Sequence, residues 1–371
     1  MSETYSPGLE GVVAGETAIS TVATGLTYRG YTIEDLGANS TYEEVAYLIL
    51  HGELPTTSQA AAFRTRLGEQ AVVPAEIIDT LRRIPSNVPA MDVLRTGVSM
   101  LAHWEPETAD NSHDANVRKT ERLLAKVPVL VAARERLRTG KEPIAADASL
   151  TLPANVLWML RGEKPSQRQV KAMDVSLILY AEHEFNASTF AARCICSTLS
   201  DLHSSITGAI GTLKGPLHGG ANERAMEVLL GVGSADCAEA WVRDALARKV
   251  RIMGFGHRVY KDGDPRAVYL KKLTAEVAEE TGQQEMERTA DIIESVVLSE
   301  KNLPPNVDWP CARLYHYLGL PIELYTPLFV VARVVGWASH VIEQLDDNRL
   351  MRPRAIYKGP PVRKWVPLDN R

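Results

Sequence analysis

The chain has 371 residues, 45% of them hydrophobic and 23% charged, with a formal net charge of −5. That length can bury a large core and divides readily into two domains, and the composition is that of an ordinary globular protein. The mild negative balance gives no electrostatic footprint for nucleic acid or an anionic membrane, so neither is an expected partner.

The N-terminus, M-S-E-T-Y-S-P, has neither a basic region nor an apolar one, so no secretory signal is read there. Residues 11–22 and 26–33 are the only fair alternating stretches and suggest a small hairpin. Ser40 with Glu43 is a capping-box pattern ahead of Val45, Leu48 and Ile49, with Gly52 as the stop. Ala60, Phe63, Leu67 and Ala71 recur as one helical face. Residues 105–116 read as a loop. Residues 188–213 are rich in Ala, Ser, Thr and Gly, as in a helix packed closely on its neighbour. Asp236 with Glu239 opens a helix carrying Trp241, Ala245 and Leu246. Asp264-Pro265 opens the next, through Val268 and Val277 to Gly282. Thr326-Pro327 begins the most apolar stretch, with Pro at the first helical position. Arg333 and His340 interrupt that stretch, and residues 327–342 fall short of a bilayer span, so it reads as a buried core helix. From Arg349 the sequence is Pro-rich and basic, an extended tail that needs a surface to lie on. Strands do not alternate with helices, so the expected class is all-α. Cys194, Cys196, Cys237 and Cys311 form no CxxC pair and read as reduced thiols of a cytoplasmic protein.

Three Gly- or Pro-framed segments carry the candidate chemistry: residues 215–222 (G-P-L-H-G-G-A-N), 252–266 (I-M-G-F-G-H-R-V-Y-K-D-G-D-P-R) and 304–309 (P-P-N-V-D-W). They set His218, His257, Arg266 and Asp308 in pre-helical turns, with Asn222 one helical turn beyond the first. Two histidines, an acid and an arginine suit an enzyme that enolises one carbonyl compound and holds an anionic second one. His218 before a helix start is expected to be neutral through the macrodipole and so able to donate to an enolate; the plainer reading is a polar cap. Gly254 and Gly256 around His257 allow close backbone approach to a ligand, and Arg251, Arg258 and Lys261 are cations suited to phosphates. Arg266 in a first helical turn serves an anion or an acidic neighbour. Asp308 is a general base or merely an N-cap. Arg333, between Val330, Val331, Val334 and Val335, is buried by periodicity and needs an anion, internal or substrate. His183 is a ligand or a satisfied core histidine. The histidines lack zinc-site spacing, so no metal is expected.

With these segments in hand, the chain closely resembles the citrate synthase family. The matching motifs are residues 182–189 (E-H-E-F-N-A-S-T), 215–223 (G-P-L-H-G-G-A-N-E), 252–261 (I-M-G-F-G-H-R-V-Y-K) with Asp264-Pro265-Arg266, 305–308 (P-N-V-D), 326–337 and 352–357 (R-P-R-A-I-Y), in the family's order. The resemblance implies a nearly all-α homodimer with a large domain (1–219 and 319–371) and a small one (220–318). It implies condensation of acetyl-CoA with oxaloacetate and water to citrate and CoA, a step of the tricarboxylic acid cycle. Asp308 would be the base, His218 the enolate stabiliser and His257 the acid at the ketone. His183, Arg266 and Arg333, with Arg352 from the partner subunit, would hold oxaloacetate. Backbone groups of Arg251, Ile252, Met253, Gly254 and Phe255, with the Lys261 side chain, would contact coenzyme A, a substrate rather than a bound cofactor. Asn186 and Asn222 would support the site. Arg352 is preferred to Arg354 by motif position. A 2-methylcitrate synthase using propionyl-CoA, or an enzyme accepting both, shares nearly all of these motifs. A non-catalytic acyl-CoA binder has no use for the base, and a histidine metalloprotein would carry stoichiometric metal.

Overall fold

The computed structural model describes residues 5–23, 25–257, 260 and 263–371. Among these, sixteen α-helices stand against one antiparallel sheet of three two-residue strands, so the chain is all-α. The strands are β1 (Ser20–Thr21), β2 (Thr27–Tyr28) and β3 (Tyr31–Thr32), with Ser20 opposite Tyr28 and Tyr28 opposite Tyr31. The hairpin expected between 11–22 and 26–33 is present as β1 with β2, although only the end of 11–22 is strand, and 26–33 itself turns back to add β3.

Local signals place most helix ends, and the misses have physical causes. The capping box at the helix Tyr42–His51 is Thr41 with Glu44, one residue beyond the expected pair. Ser40 instead ends the preceding helix, Ile33–Asn39. Glu43 turns inward, accepting from the Leu152 amide at 2.7 Å and from Arg64 at 2.8 Å. Gly52 closes the helix at φ 91°, a conformation that favours glycine. Asp236 lies within the first turn of Ala235–Ala247, where Ser234 holds the cap position. Asp264 caps Pro265–Thr281 as expected, and Gly282 ends it. The small-residue run is two helices, Ala187–Cys196 and Leu202–Leu213, broken where Leu199 takes φ 67° and Asp201 caps the second. Their close packing is mutual: a Cβ at Gly208 would collide with Ile195. The loop expected over 105–116 ends early, because His113 already begins a helix.

The helix Tyr325–Asp346 runs through the core. Pro327 stands in its third position, still within the first turn, where no intrahelical donor is lost. By length and composition this helix could cross a membrane, yet 83% of its most apolar window is buried in protein. It passes the end of the helix Gln167–Tyr180 at Gly336, where a Cβ would collide with the Glu182 carboxylate and the Ala181 carbonyl. Glu182 is fully buried; its Oε1 accepts from Ser20 Oγ at 3.1 Å and pairs with His340 Nε2 at 2.9 Å. From β2 the Tyr28 hydroxyl lies 3.0 Å from the carbonyls of both Ile178 and Glu182. Ser20 Oγ also accepts from the Glu184 amide at 2.9 Å. The small sheet is therefore a clamp on the turn that carries His183.

Beyond Asp346 the tail is extended and exposed apart from a short turn at Leu368–Asn370, with Tyr357 76% and Trp365 78% accessible. It buries no apolar surface on its own protomer that would explain those side chains.

Gly336→Ala is expected to destabilise the fold by about 1–3 kcal/mol, because neither the buried carboxylate nor the backbone carbonyl can give way cheaply. Equilibrium denaturant unfolding reads this directly, and a midpoint equal to that of the parent would contradict the packing described.

Candidate active site

A cleft of about 460 Å³ is lined by Tyr180, His183, His218, His257, Arg266, Asp308 and Arg333, with Asn186 and Asn306 among its polar neighbours and Val22, Leu217, Val307 and Phe329 as apolar wall. Thus six of the seven residues assigned to catalysis and oxaloacetate binding converge, from segments far apart in sequence.

Two turns are joined to build one side. The Gly256 amide donates to the Pro304 carbonyl at 2.8 Å, and the Asn306 amide to the Gly254 carbonyl at 2.9 Å. Asn306 also sends Nδ2 to the Gly256 carbonyl at 2.9 Å and accepts from the Asp308 amide at 3.0 Å. Gly254, at φ 90°, is pressed against Trp309, where a Cβ would approach to 3.0 Å. Packing and a positive φ therefore both favour glycine at 254. Arg251 is exposed, Ile252 is buried, and none of residues 251–255 lines the cleft. Lys261 and Arg258 lie outside the described residues.

Asp308 opens the helix Asp308–Tyr317 but its side chain caps nothing. Its Oδ1 instead accepts from the Tyr180 hydroxyl at 2.6 Å. Burial raises its pKa, and the Tyr180 hydrogen bond and the charge of Arg266 oppose that rise.

His218 stands just before the helix Ala221–Val232. Its pKa is lowered to about 4, first by burial and then by the positive charge of Arg333. The Ser188 amide lies 3.3 Å from His218 Nε2, and Ser188 Oγ lies 2.8 Å from the same atom. A backbone N–H can only donate, so Nε2 is the acceptor and the proton sits on Nδ1. Trp337 Nε1 donates to Ser188 Oγ at 3.0 Å and fixes that hydroxyl.

His257 is oriented similarly: the Tyr260 amide donates to its Nδ1 at 3.2 Å, leaving the proton on Nε2, and the ring stacks on Tyr260 at 4.6 Å. His183 is held well below the usual histidine pKa by burial, then by Arg266 and Arg333. Its Nε2 lies 3.3 Å from the Tyr260 hydroxyl.

The two buried arginines differ. Arg266 grips Asp264 through Nε at 2.9 Å and Nη2 at 2.8 Å, the acidic neighbour its position implied. Arg333 donates Nε to the Tyr180 carbonyl at 2.6 Å and lies over Phe329 at 4.8 Å. Among the described residues no carboxylate oxygen is within 4.0 Å of its guanidinium. A buried cation without such a partner is unusual, and this one stands at the wall of the cleft.

Asn186 caps the helix Ala187–Cys196 and borders the cleft. Asn222 is buried outside the lining; its Oδ1 accepts from the Glu223 amide at 2.9 Å, while Nδ2 has no partner among the described residues. Arg352 is exposed on the tail and does not line this cleft. Tyr180, Ser188, Asn306 and Phe329 were not singled out from the sequence. Ser188 falls inside the E-H-E-F-N-A-S-T motif, Asn306 inside P-N-V-D and Phe329 inside 326–337, so those signals were present; nothing local marks Tyr180.

The family model described as "Citrate synthase, C-terminal domain" matches residues 8–354. Citrate synthase 2 of Bacillus subtilis is 47% identical over 99% of this chain and 100% of its own. A 2-methylcitrate synthase of Shewanella oneidensis is 46% identical over 98% of this chain and 97% of its own. The structure of a ternary complex of carboxymethyl coenzyme A and oxaloacetate with citrate synthase from Thermoplasma acidophilum superposes with a TM-score of 0.93, at 32% identity, covering 99% of this chain and 100% of that one.

Histidine NMR on nitrogen-15-labelled protein is expected to show His218 titrating at about pH 4 rather than 6.5, with the Nδ1–H tautomer above that. A midpoint near 6.5 would contradict the lowering by burial and by Arg333.

Proposed function

The chain belongs to the citrate synthase family, and from that premise we propose that its cleft condenses acetyl-CoA with oxaloacetate and water to citrate and CoA. The observation that carries this reading is the convergence of Asp308, with its raised pKa, neutral His218 and the anion-seeking Arg333 in one cleft.

A thioester α-proton is weakly acidic, so removing it needs a base and an electrophile together. Asp308 takes the proton from the acetyl carbon while His218 donates from Nδ1 to the carbonyl oxygen as it becomes an enol. The new nucleophilic carbon attacks the oxaloacetate ketone, and His257 supplies a proton from Nε2 to the oxygen that becomes the citrate hydroxyl. Arg266 and Arg333 receive the oxaloacetate carboxylates, with His183 as a neutral donor beside them and Arg352 of a second copy completing the set. Water then adds to the thioester of citryl-CoA, the C–S bond breaks, and CoA leaves as the thiol. Asn186 and Asn222 support this arrangement, and Arg251–Phe255 with Lys261 take coenzyme A. In this reading residues 1–219 with 319–371 close against 220–318 to exclude water, in a cytoplasmic homodimer.

The 46% identity to a 2-methylcitrate synthase, beside 47% to a citrate synthase, favours propionyl-CoA as the second reading. Thiol release from each acyl-CoA, with and without oxaloacetate, tests both. Oxaloacetate-dependent release faster with acetyl-CoA is expected; a preference for propionyl-CoA would make the enzyme a methylcitrate synthase, and release from neither would end the catalytic reading.

Asp308→Asn is expected to bind oxaloacetate within about twofold of the parent and to lose turnover by roughly 10²–10⁴. Arg333→Ala should do the reverse, weakening oxaloacetate chiefly in calorimetric titration; coincident isotherms for mutant and parent would remove Arg333 from the anion site.

A further inference from the structure

We propose that Tyr180 is a positioning residue for the reaction: its phenol holds Oδ1 of Asp308 so that Oδ2 is the atom presented to the substrate's α-proton. The proposal rests on the reading of Asp308 as the base and deepens it.

The geometry comes from both ends of the contact. Asp308 is tied at its backbone, where its amide donates to Asn306 Oδ1 at 3.0 Å, so the carboxylate retains chiefly the freedom to rotate about its own side-chain bonds. The Tyr180 hydroxyl, 2.6 Å from Oδ1, removes that freedom. Tyr180 is itself immobile. It is 1% exposed, its ring packs on Phe329 at 4.4 Å, and its carbonyl accepts from Arg333 Nε at 2.6 Å. One residue therefore touches the base through its side chain and the anion-binding arginine through its backbone. Behind it the Cys311 thiol interacts with the hydroxyls of Tyr180 and Tyr315, and Tyr315 reaches Ser176 Oγ at 3.3 Å.

A phenol in this place has only one useful protonation state. Burial and the neighbouring Asp308 charge hold its ionisation well above 10, so it donates and does not relay the substrate's proton. Donation to a carboxylate favours the ionised form. The other charged or titratable groups that face Asp308 are Arg266 and Asp264 at the start of their helix and Arg333 on the core helix, with His218 and His257 in the same cleft and Cys311 one turn along its own helix. Both arginines also favour the ionised form, and Asp264 opposes it. Tyr180 is the group among them that both favours the ionised form and fixes which oxygen is exposed.

Tyr180→Phe removes the hydroxyl and leaves the ring and the carbonyl contact with Arg333. Oxaloacetate affinity and its KM should stay within about twofold. Turnover should fall by roughly tenfold to a hundredfold, from lost orientation. The acid limb of kcat/KM should move up by roughly one to two pH units, the worth of one hydrogen bond to a charged group. A ring-fluorinated tyrosine at 180, a stronger donor of nearly the same shape, should move that limb down, and it decides the matter if the Phe variant does not fold. An unchanged turnover and acid limb in Tyr180→Phe, or an unmoved limb in the fluorinated enzyme, overturns the proposal while leaving Asp308 as base, provided Asp308→Asn is inactive. Turnover retained by Asp308→Asn would instead remove the base assignment, and the proposal with it.

Discussion

Keeping two guanidinium groups out of water is the constraint on which the centre of this molecule depends. A buried charge is costly unless an opposite charge or well-placed dipoles replace its hydration. Arg266 is satisfied internally by a bidentate grip on Asp264, whose Oδ2 also accepts from the Val307 amide at 3.0 Å. Arg333 is satisfied only by a carbonyl, an aromatic face and the more distant attraction of Glu182. That asymmetry makes Arg266 a fixed part of the scaffold with a side facing the cleft, whereas Arg333 lines the same cleft with no carboxylate within 4.0 Å among the described residues. The closeness of Gly336 to Glu182 follows from the same need, since the buried carboxylate must fit against the helix that carries Arg333.

The same desolvation sets the protonation states of the cleft. Burial disfavours the charged form of any group, so it raises a carboxylate and lowers an imidazole. Asp308 moves up while His218 and His183 move down, and Arg333 pushes both histidines further toward neutrality. A base that is less reluctant to hold a proton then faces an imidazole that donates without a positive charge. Each ring is locked by a backbone amide, Ser188 for His218 and Tyr260 for His257, so each presents one defined N–H. Preorganised donors of this kind stabilise developing negative charge without having to reorient during reaction.

Much of this was legible in the sequence because glycines and prolines mark the turns and because the motif residues carry unusual chemistry for their positions. An arginine at a helix start and another in a valine-rich helix both pointed to anions; Arg266 meets its anion in Asp264, whereas Arg333 has no carboxylate within 4.0 Å among the described residues. The residues that escaped are those whose role comes only from tertiary neighbours. Tyr180 ends an apolar helix and looks like any core tyrosine until Asp308, 128 positions later, is placed against it. Burial and the Arg333 charge, which hold His218 neutral, escaped for the same reason, because they are invisible locally whereas a helix start is not. The capping box was misplaced by one residue because two Glu residues stand side by side, and only the fold shows that Glu43 turns inward to Leu152 and Arg64. The packing of Gly254 on Trp309 likewise could not be read from the glycine loop alone.

Acyl choice lies outside that logic. Enolisation acts on the α-carbon and the thioester oxygen, which acetyl- and propionyl-CoA share, and condensation acts on the same ketone in both cases. Asp308, His218, His257 and the arginines are therefore under the same physical demand in a citrate synthase and in a 2-methylcitrate synthase. Near-equal identity to one of each follows naturally from that shared demand. One added methylene changes discrimination by about 1–3 kcal/mol, an amount a small change in an apolar wall supplies. Within the cleft such a wall is formed by Val22, Leu217, Val307 and Phe329. Phe329 is held between Tyr180 and Arg333, so its shape is tied to catalysis, whereas Leu217 is almost fully exposed and bears no such duty. Leu217 is therefore the lining residue whose shape can change with least disturbance to Tyr180 and Arg333.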